Sequence, residues 1–243
     1  MKNQQELKIQ LLRSAPWLRN IRASANRLCD TVCFLSRGVR YAPIVPYLYI
    51  DGWLSYSEAI ALYESARSLK AESPIVVEIG SWQGKSSVVL ARAIKVKRQS
   101  VLYCVDPFNA TNNGVQDPTF VQRTRRMDRS LLDTFVKNMR TNGVYDVIRI
   151  LHGMSHDFAG SFAEKIDLLY IDGNHEYDAV RRDYEEWAPH LKRGGIIAFH
   201  DVVRSESGTC QGPWMVVKER IHQNRAWTEK RLVDSLYIAR KAD

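Results

Sequence analysis

Residues 74–87, Pro-Ile-Val-Val-Glu-Ile-Gly-Ser-Trp-Gln-Gly-Lys-Ser-Ser, constrain the fold more than any other stretch. An apolar, β-branched run ends in an acid, meets Gly80 and Gly84, and passes into a helical pattern. That is a strand, a tight turn and a helix start, an arrangement that lets backbone approach a nucleotide-like ligand closely. Strand and helix patterns then alternate: strands near 75–79, 101–105, 147–151, 167–171 and 195–199, helices near 84–95 and 176–190, and helical, Arg-rich material over roughly 117–142. Such alternation predicts an α/β fold with a mostly parallel, doubly wound sheet. The tail adds a helix near 214–223 and short strands near 226–230 and 234–239.

Ahead of the first strand, Ser55-Tyr56-Ser57-Glu58 is a capping box opening a helix to about residue 69. Residues 41–52, with Pro43 and Pro46, read as an extended connector. Residues 1–40 read as one or two helices, so the expected division is an arm or lid with connector over 1–51 and a catalytic-type domain over 52–243. The 243 residues carry a net charge of +8, and residues 1–40 hold eight Lys/Arg against two Asp/Glu. Arg13, Arg19, Arg22 and Arg27 alternate there with apolar residues, as in a lid or oligomerisation arm with a solvated basic face. Contact with an anionic surface is the alternative. A homo-oligomer is expected, and no nucleic-acid-binding motif is present. No apolar run approaches the ~18 residues that span a bilayer. Four cysteines and the lack of a secretory signal pattern suit a reducing, cytoplasmic setting. Cys29-x-x-x-Cys33 does not continue into a metal-cluster motif, because Ser36 stands where a third ligand would be.

Ligands of a doubly wound sheet bind beyond the carboxyl ends of its strands. Here those ends carry Glu78/Gly80/Gly84, Asp106, Gly153/Ser155, Asp172/His175 and His200/Asp201. A phosphate-binding P-loop needs four residues between its glycines, and Gly80 and Gly84 enclose three. A dinucleotide turn needs a second glycine where Trp82 stands, and the indole blocks approach of a pyrophosphate. Asp106, at the end of the second strand, can accept both hydroxyls of a ribose.

Taken together, Glu78-Ile-Gly-Ser-Trp-Gln-Gly-Lys-Ser86, Val105-Asp106-Pro107, Asp172-Gly-Asn-His175 and Gly194-Gly195-Ile-Ile-Ala-Phe-His200-Asp201 resemble the class I S-adenosylmethionine-dependent methyltransferases. The likeness covers roughly residues 52–222 and is greatest to metal-dependent O-methyltransferases of the catechol, macrocin and cephalosporin-pathway type. It implies a Rossmann-like, seven-stranded sheet with a helical N-terminal extension. It also implies a cofactor site of Glu78, Gly80, Ser81, Trp82, Gly84, Ser86, Asp106, Ser155, His156 and Asp172. In the resembling enzymes the residue three past the strand-end aspartate is a base, which places that role on His175. Asp172, His200 and Asp201 could hold a divalent ion, Mg²⁺ or Mn²⁺, although the family usually has a carboxylate or amide where His200 stands. Imidazole favours Mn²⁺, Zn²⁺ and other transition metals over Mg²⁺. The implied activity is methylation of a hydroxyl on a small molecule or glycosyl group. The alternative is a catalytically silent cofactor-binding scaffold or partner-binding subunit.

Overall fold

The computed structural model describes residues 27–112, 115–116, 118–125, 127–203 and 211–243. The expected helices of residues 1–26, and Gly208, Thr209 and Cys210 ahead of the C-terminal helix, lie outside the described residues. A helix, α1, occupies residues 27–36, followed by 3-10 turns over Val39–Tyr49 and by α2 (Tyr56–Arg67). The alternating part runs β1 (Ile75–Ile79), α3 (Lys85–Ile94), β2 (Val101–Asp106), a two-strand ribbon β3 (Thr111–Asn112) and β4 (Val115–Gln116), α4 (Pro118–Thr124) and α5 (Leu131–Thr141). It continues with β5 (Ile148–His152), α6 (Ser155–Ala159), β6 (Ile166–Ile171), α7 (Tyr177–Trp187) and β7 (Leu191–Phe199). The chain closes with α8 (Gln211–Val217), a π turn over Lys218–His222, β8 (Trp227–Val233) and β9 (Leu236–Lys241).

Seven strands form one sheet in the order β5-β2-β1-β6-β7-β9-β8. The first five are parallel, and β9 pairs antiparallel with both β7 and β8. Strand order reverses between β1 and β6, which opens a crevice at their carboxyl ends. The period-two alternation of a strand divides the core cleanly. Val76, Leu102, Leu168 and Ile196 point to the face covered by α2, α3 and α5. Val77, Val105, Leu169 and Ile197 point to the face covered by α7 and α8.

One expectation changes. Over residues 41–49 the connector is not extended: the fixed φ of Pro43 and Pro46 suits a 3-10 turn as well as an extended chain. The turns place Tyr41, Ile44 and Tyr47 in the core. The Arg-rich segment is helical as expected, in two helices, the second capped by Ser130, whose side chain accepts from the Asp133 amide. Phe34 of α1 is fully buried, edge-on to Tyr47 and Tyr56 at 5.6 and 5.7 Å between ring centroids. Its burial contributes roughly 1.5–3 kcal/mol. Among the described residues no helix is long and apolar enough to cross a membrane.

Candidate active site

The turn after β1 is built on backbone that only glycine adopts easily. Gly80 has φ +88°, and a Cβ there would overlap the carbonyl of Asp172, so β1 and β6 can end side by side only with glycine between them. The amides of Asp172 and His200 donate to the carbonyls of Ile79 and Ile171 at 2.8 and 3.1 Å, lacing the three strand ends together. Trp82 and Asp201 are non-glycine residues with positive φ, 49° and 53°, and both face the crevice. Backbone held in sparsely populated regions is common where a chain is shaped around a ligand.

The crevice is a cavity of about 940 Å³. Gly80, Ser81, Trp82 and Ser86 line it from the first turn, and Asp106 lines it from β2. Ser155 and His156 come from α6, Asp172 and His175 from the end of β6, and His200 and Asp201 from the end of β7. Eleven of the residues singled out from sequence thus converge on one space. Glu78 and Gly84 stand behind it. Gly84 (φ +87°) packs against Phe135 and Met139 of α5. Glu78 is fully buried and accepts hydroxyl hydrogen bonds from Ser81 (2.7 Å), Ser86 (2.6 Å) and Ser87. Burial pushes its carboxyl up to about 7 even though the three hydroxyls oppose the shift.

Asp106 accepts the amides of Trp82 (2.8 Å) and Phe108 (2.6 Å), which aim its carboxylate into the cavity. Burial raises its pKa and those amides hold it back. Ser155 donates its hydroxyl to Asp183 of α7, and burial lifts that acid to about 6. Asp183 lines the same cavity but was not apparent from the sequence. Its signal was an acid at the buried-face spacing of Val180 and Trp187.

At the other end lies an array of alternating charge. His175 Nε2 sits 3.2 Å from Asp201 Oδ2 and 3.8 Å from Asp172 Oδ1. His200 is 3% exposed, with Nδ1 at 3.2 Å from Asp172 and 3.4 Å from Asp201 and Nε2 at 3.2 Å from Glu58. Burial alone would raise Asp172, but His200 and His175 outweigh it and hold the acid at about 2. Burial disfavours imidazolium at both histidines, and the facing carboxylates overcome it, well beyond the ordinary range at His200. Tyr170 donates to Asp172 at 3.0 Å and fixes its second oxygen. Glu58, seen in the sequence only as a helix cap, was the unforeseen member of this array.

Among the described residues, the donors that can converge on one ion are Asp172, His175 and Asp201. His200, expected from the sequence to be a ligand beside Asp172 and Asp201, is not in that group; His175 stands in its place. The buried Nε2 of His175 has no aligned hydrogen-bond partner although two carboxylate oxygens are near. An unaligned donor set of one imidazole and two carboxylates fits a divalent cation.

A seven-stranded sheet of this order, with an acid at the end of its second strand and a cavity at its switch point, defines the class I methyltransferase fold. The family model of a methyltransferase domain matches residues 77–202, more than half of the chain, and the chain belongs to that family. Solved structures agree in fold. Cofactor-bound Rv0187 from MTB superposes with a TM-score of 0.58 at 17% identity, over 91% of this chain and 90% of that one. The O-methyltransferase TomG of Streptomyces achromogenes, involved in tomaymycin synthesis and bound to SAM, gives 0.58 at 16% identity over 79% and 82%. An O-methyltransferase from Bacillus cereus in complex with SAH gives 0.59 at 14% over 83% and 91%. A 43-residue stretch is 42% identical to the uncharacterized protein y4gI of Sinorhizobium fredii, spanning 18% of this chain and 5% of that protein.

Proposed function

We propose that this chain transfers the methyl group of S-adenosylmethionine to a hydroxyl oxygen of a small molecule or glycosyl group. The observation that carries the reading is the convergence of the glycine turn, Asp106 and the Asp172–His175–Asp201 group on one cavity. In this reading Asp106 accepts the ribose hydroxyls, and Ser81, Trp82 and Ser86 receive the methionine end. Ser155 and His156 lie on the adenine side. SAM and SAH in the solved neighbours TomG and the Bacillus cereus enzyme support this choice of cofactor.

Methyl transfer from a sulfonium is an in-line displacement: the acceptor oxygen forms a bond to the methyl carbon as the carbon–sulfur bond breaks, and the electron pair stays on sulfur. The acceptor must lose a proton, and His175 is the imidazole placed to take it. Asp172 and Asp201 stabilise the imidazolium so formed. The same donor set would alternatively hold a divalent cation on Asp172, His175 and Asp201; the His175 lone pair would then sit on the ion, whose charge would lower the pKa of a hydroxyl beside it in place of the imidazole base.

The test is a screen of phenolic, sugar and amine acceptors with methyl-labelled cofactor, with chelator or with added Mn²⁺. Turnover on hydroxyl acceptors, lost in His175→Ala with SAH affinity kept within about twofold, is the expected result. Turnover confined to amines, or unchanged in His175→Ala, would overturn it.

A further inference from the structure

Glu58 carries a burden out of proportion to a helix cap. It is the third residue of α2, and its Oε2 accepts the Ser55 amide at 2.8 Å, completing the capping box. Cap carboxylates ordinarily face water, yet Glu58 is 3% exposed. Its Oε1 accepts both the amide and the hydroxyl of Ser235, at 2.9 and 2.7 Å, in the turn between β8 and β9. Oε2 also faces His200 Nε2. Three elements far apart in sequence therefore meet on one carboxylate.

Beyond Glu58 the contacts run on without a gap. His200 Nδ1 faces Asp172 Oδ1 and Asp201 Oδ2, and those same two oxygens are the ones nearest His175 Nε2. The His200 ring lies between the two carboxylates, its Nδ1 at 3.2 Å from Asp172 and 3.4 Å from Asp201, so its position sets where both can lie. A ring can do so only if its orientation is fixed, and Glu58 on the opposite nitrogen fixes it.

We propose that Glu58 is a positioning residue for the methyl-acceptor end of the cavity, acting through His200 to set the placement of Asp172, Asp201 and therefore His175. The proposal rests on the methyl-transfer reading for its functional meaning, since His175 is the group that reading uses. It makes the carboxylate that caps α2 part of the support of the site. Glutamine at position 58 cannot replace the acid. Both carboxylate oxygens face donors, from Ser55 and His200 on one side and from Ser235 on the other, whereas an amide offers one acceptor and one donor.

The experiment uses the full chain, at one fixed pH, and reads the ring ¹H–¹³C resonances of His175, assigned by its absence in His175→Ala. Glu58→Gln is compared with Ser235→Ala, which loosens the hairpin but leaves the carboxylate, and Tm and SAH affinity are measured alongside. The expected result is a displaced or broadened His175 signal in Glu58→Gln and an unmoved one in Ser235→Ala. In a His200→Gln background, Glu58→Gln should add no further displacement. Should Glu58→Gln fail to fold, Glu58→Asp, which keeps the charge and shortens the reach, takes its place with the same expectation. An unmoved His175 signal in the Glu58 variant, or equal displacement in Ser235→Ala, overturns the proposal. Absence of SAH binding in the unaltered protein would instead sink the methyl-transfer reading and leave the Glu58–His175 coupling standing or falling on its own signal.

Discussion

Glu78 shows how one residue can look like a ligand in the sequence and serve as a foundation in the structure. The motif places an acid at the end of β1, but only the fold shows Ser81, Ser86 and Ser87 closing over it. Its pKa is raised from 4.5 to about 7, so the folded state favours the neutral acid. Stability from this group is therefore fully present below pH 4.5 and lost as pH rises toward about 7, a loss on the order of 3 kcal/mol. Glu78→Gln cannot ionise and should lack that loss. Urea unfolding at pH 5 and pH 8 checks this: the variant's stability relative to the parent should be higher at pH 8. Equal differences at the two values would show that Glu78 titrates normally. Gly80→Ala belongs to the same scale. Its positive φ and the overlap with Asp172 should cost about 2 kcal/mol or more and abolish SAH binding, measurable by melting and titration.

The strand-end residues were legible because strand, turn and helix each leave a local signature, and a doubly wound sheet sends every strand end to one side. Glu58 and Asp183 were not, because their partners lie 142 and 28 residues away and no local pattern marks such a pairing. Which of His175 and His200 converges with Asp172 and Asp201 was equally hidden, because it depends on where the fold sets each ring.

Among the elements, the strands followed their alternation closely, since a β-branched run buried on both faces admits little else. The connector over Val39–Tyr49 did not, because two prolines suit either conformation and the three-residue spacing of Tyr41, Ile44 and Tyr47 was the subtler signal. Those turns and α1 pack on the same layer as α2 and α3. Phe34→Ala should therefore cost about 3–5 kcal/mol in the unfolding of the whole chain. A change below about 1 kcal/mol would mean α1 contributes little to the stability of the sheet. At the start of α2, the Ser55 hydroxyl caps Glu58 and donates to Asp234 at 2.6 Å. Ser55→Ala should lower stability by about 1 kcal/mol, seen as a lower Tm.

At the scale of the whole molecule, the sheet gathers cofactor-type residues on one side of the cavity and the alternating charges on the other. Asp106 marks the first region and His175 the second, and their losses should separate. Asp106→Ala should weaken SAH binding by roughly tenfold or more, the loss of charge-assisted hydrogen bonds. His175→Ala should leave binding intact and remove turnover. The measurement that bears most directly on the account is calorimetric titration of S-adenosylhomocysteine into the purified chain, with chelator and again with Mn²⁺. One-to-one binding in the micromolar range, weakened in Asp106→Ala and retained in His175→Ala, is the result the account predicts. No heat of binding and no thermal stabilisation at millimolar S-adenosylhomocysteine, with or without the metal, would contradict it.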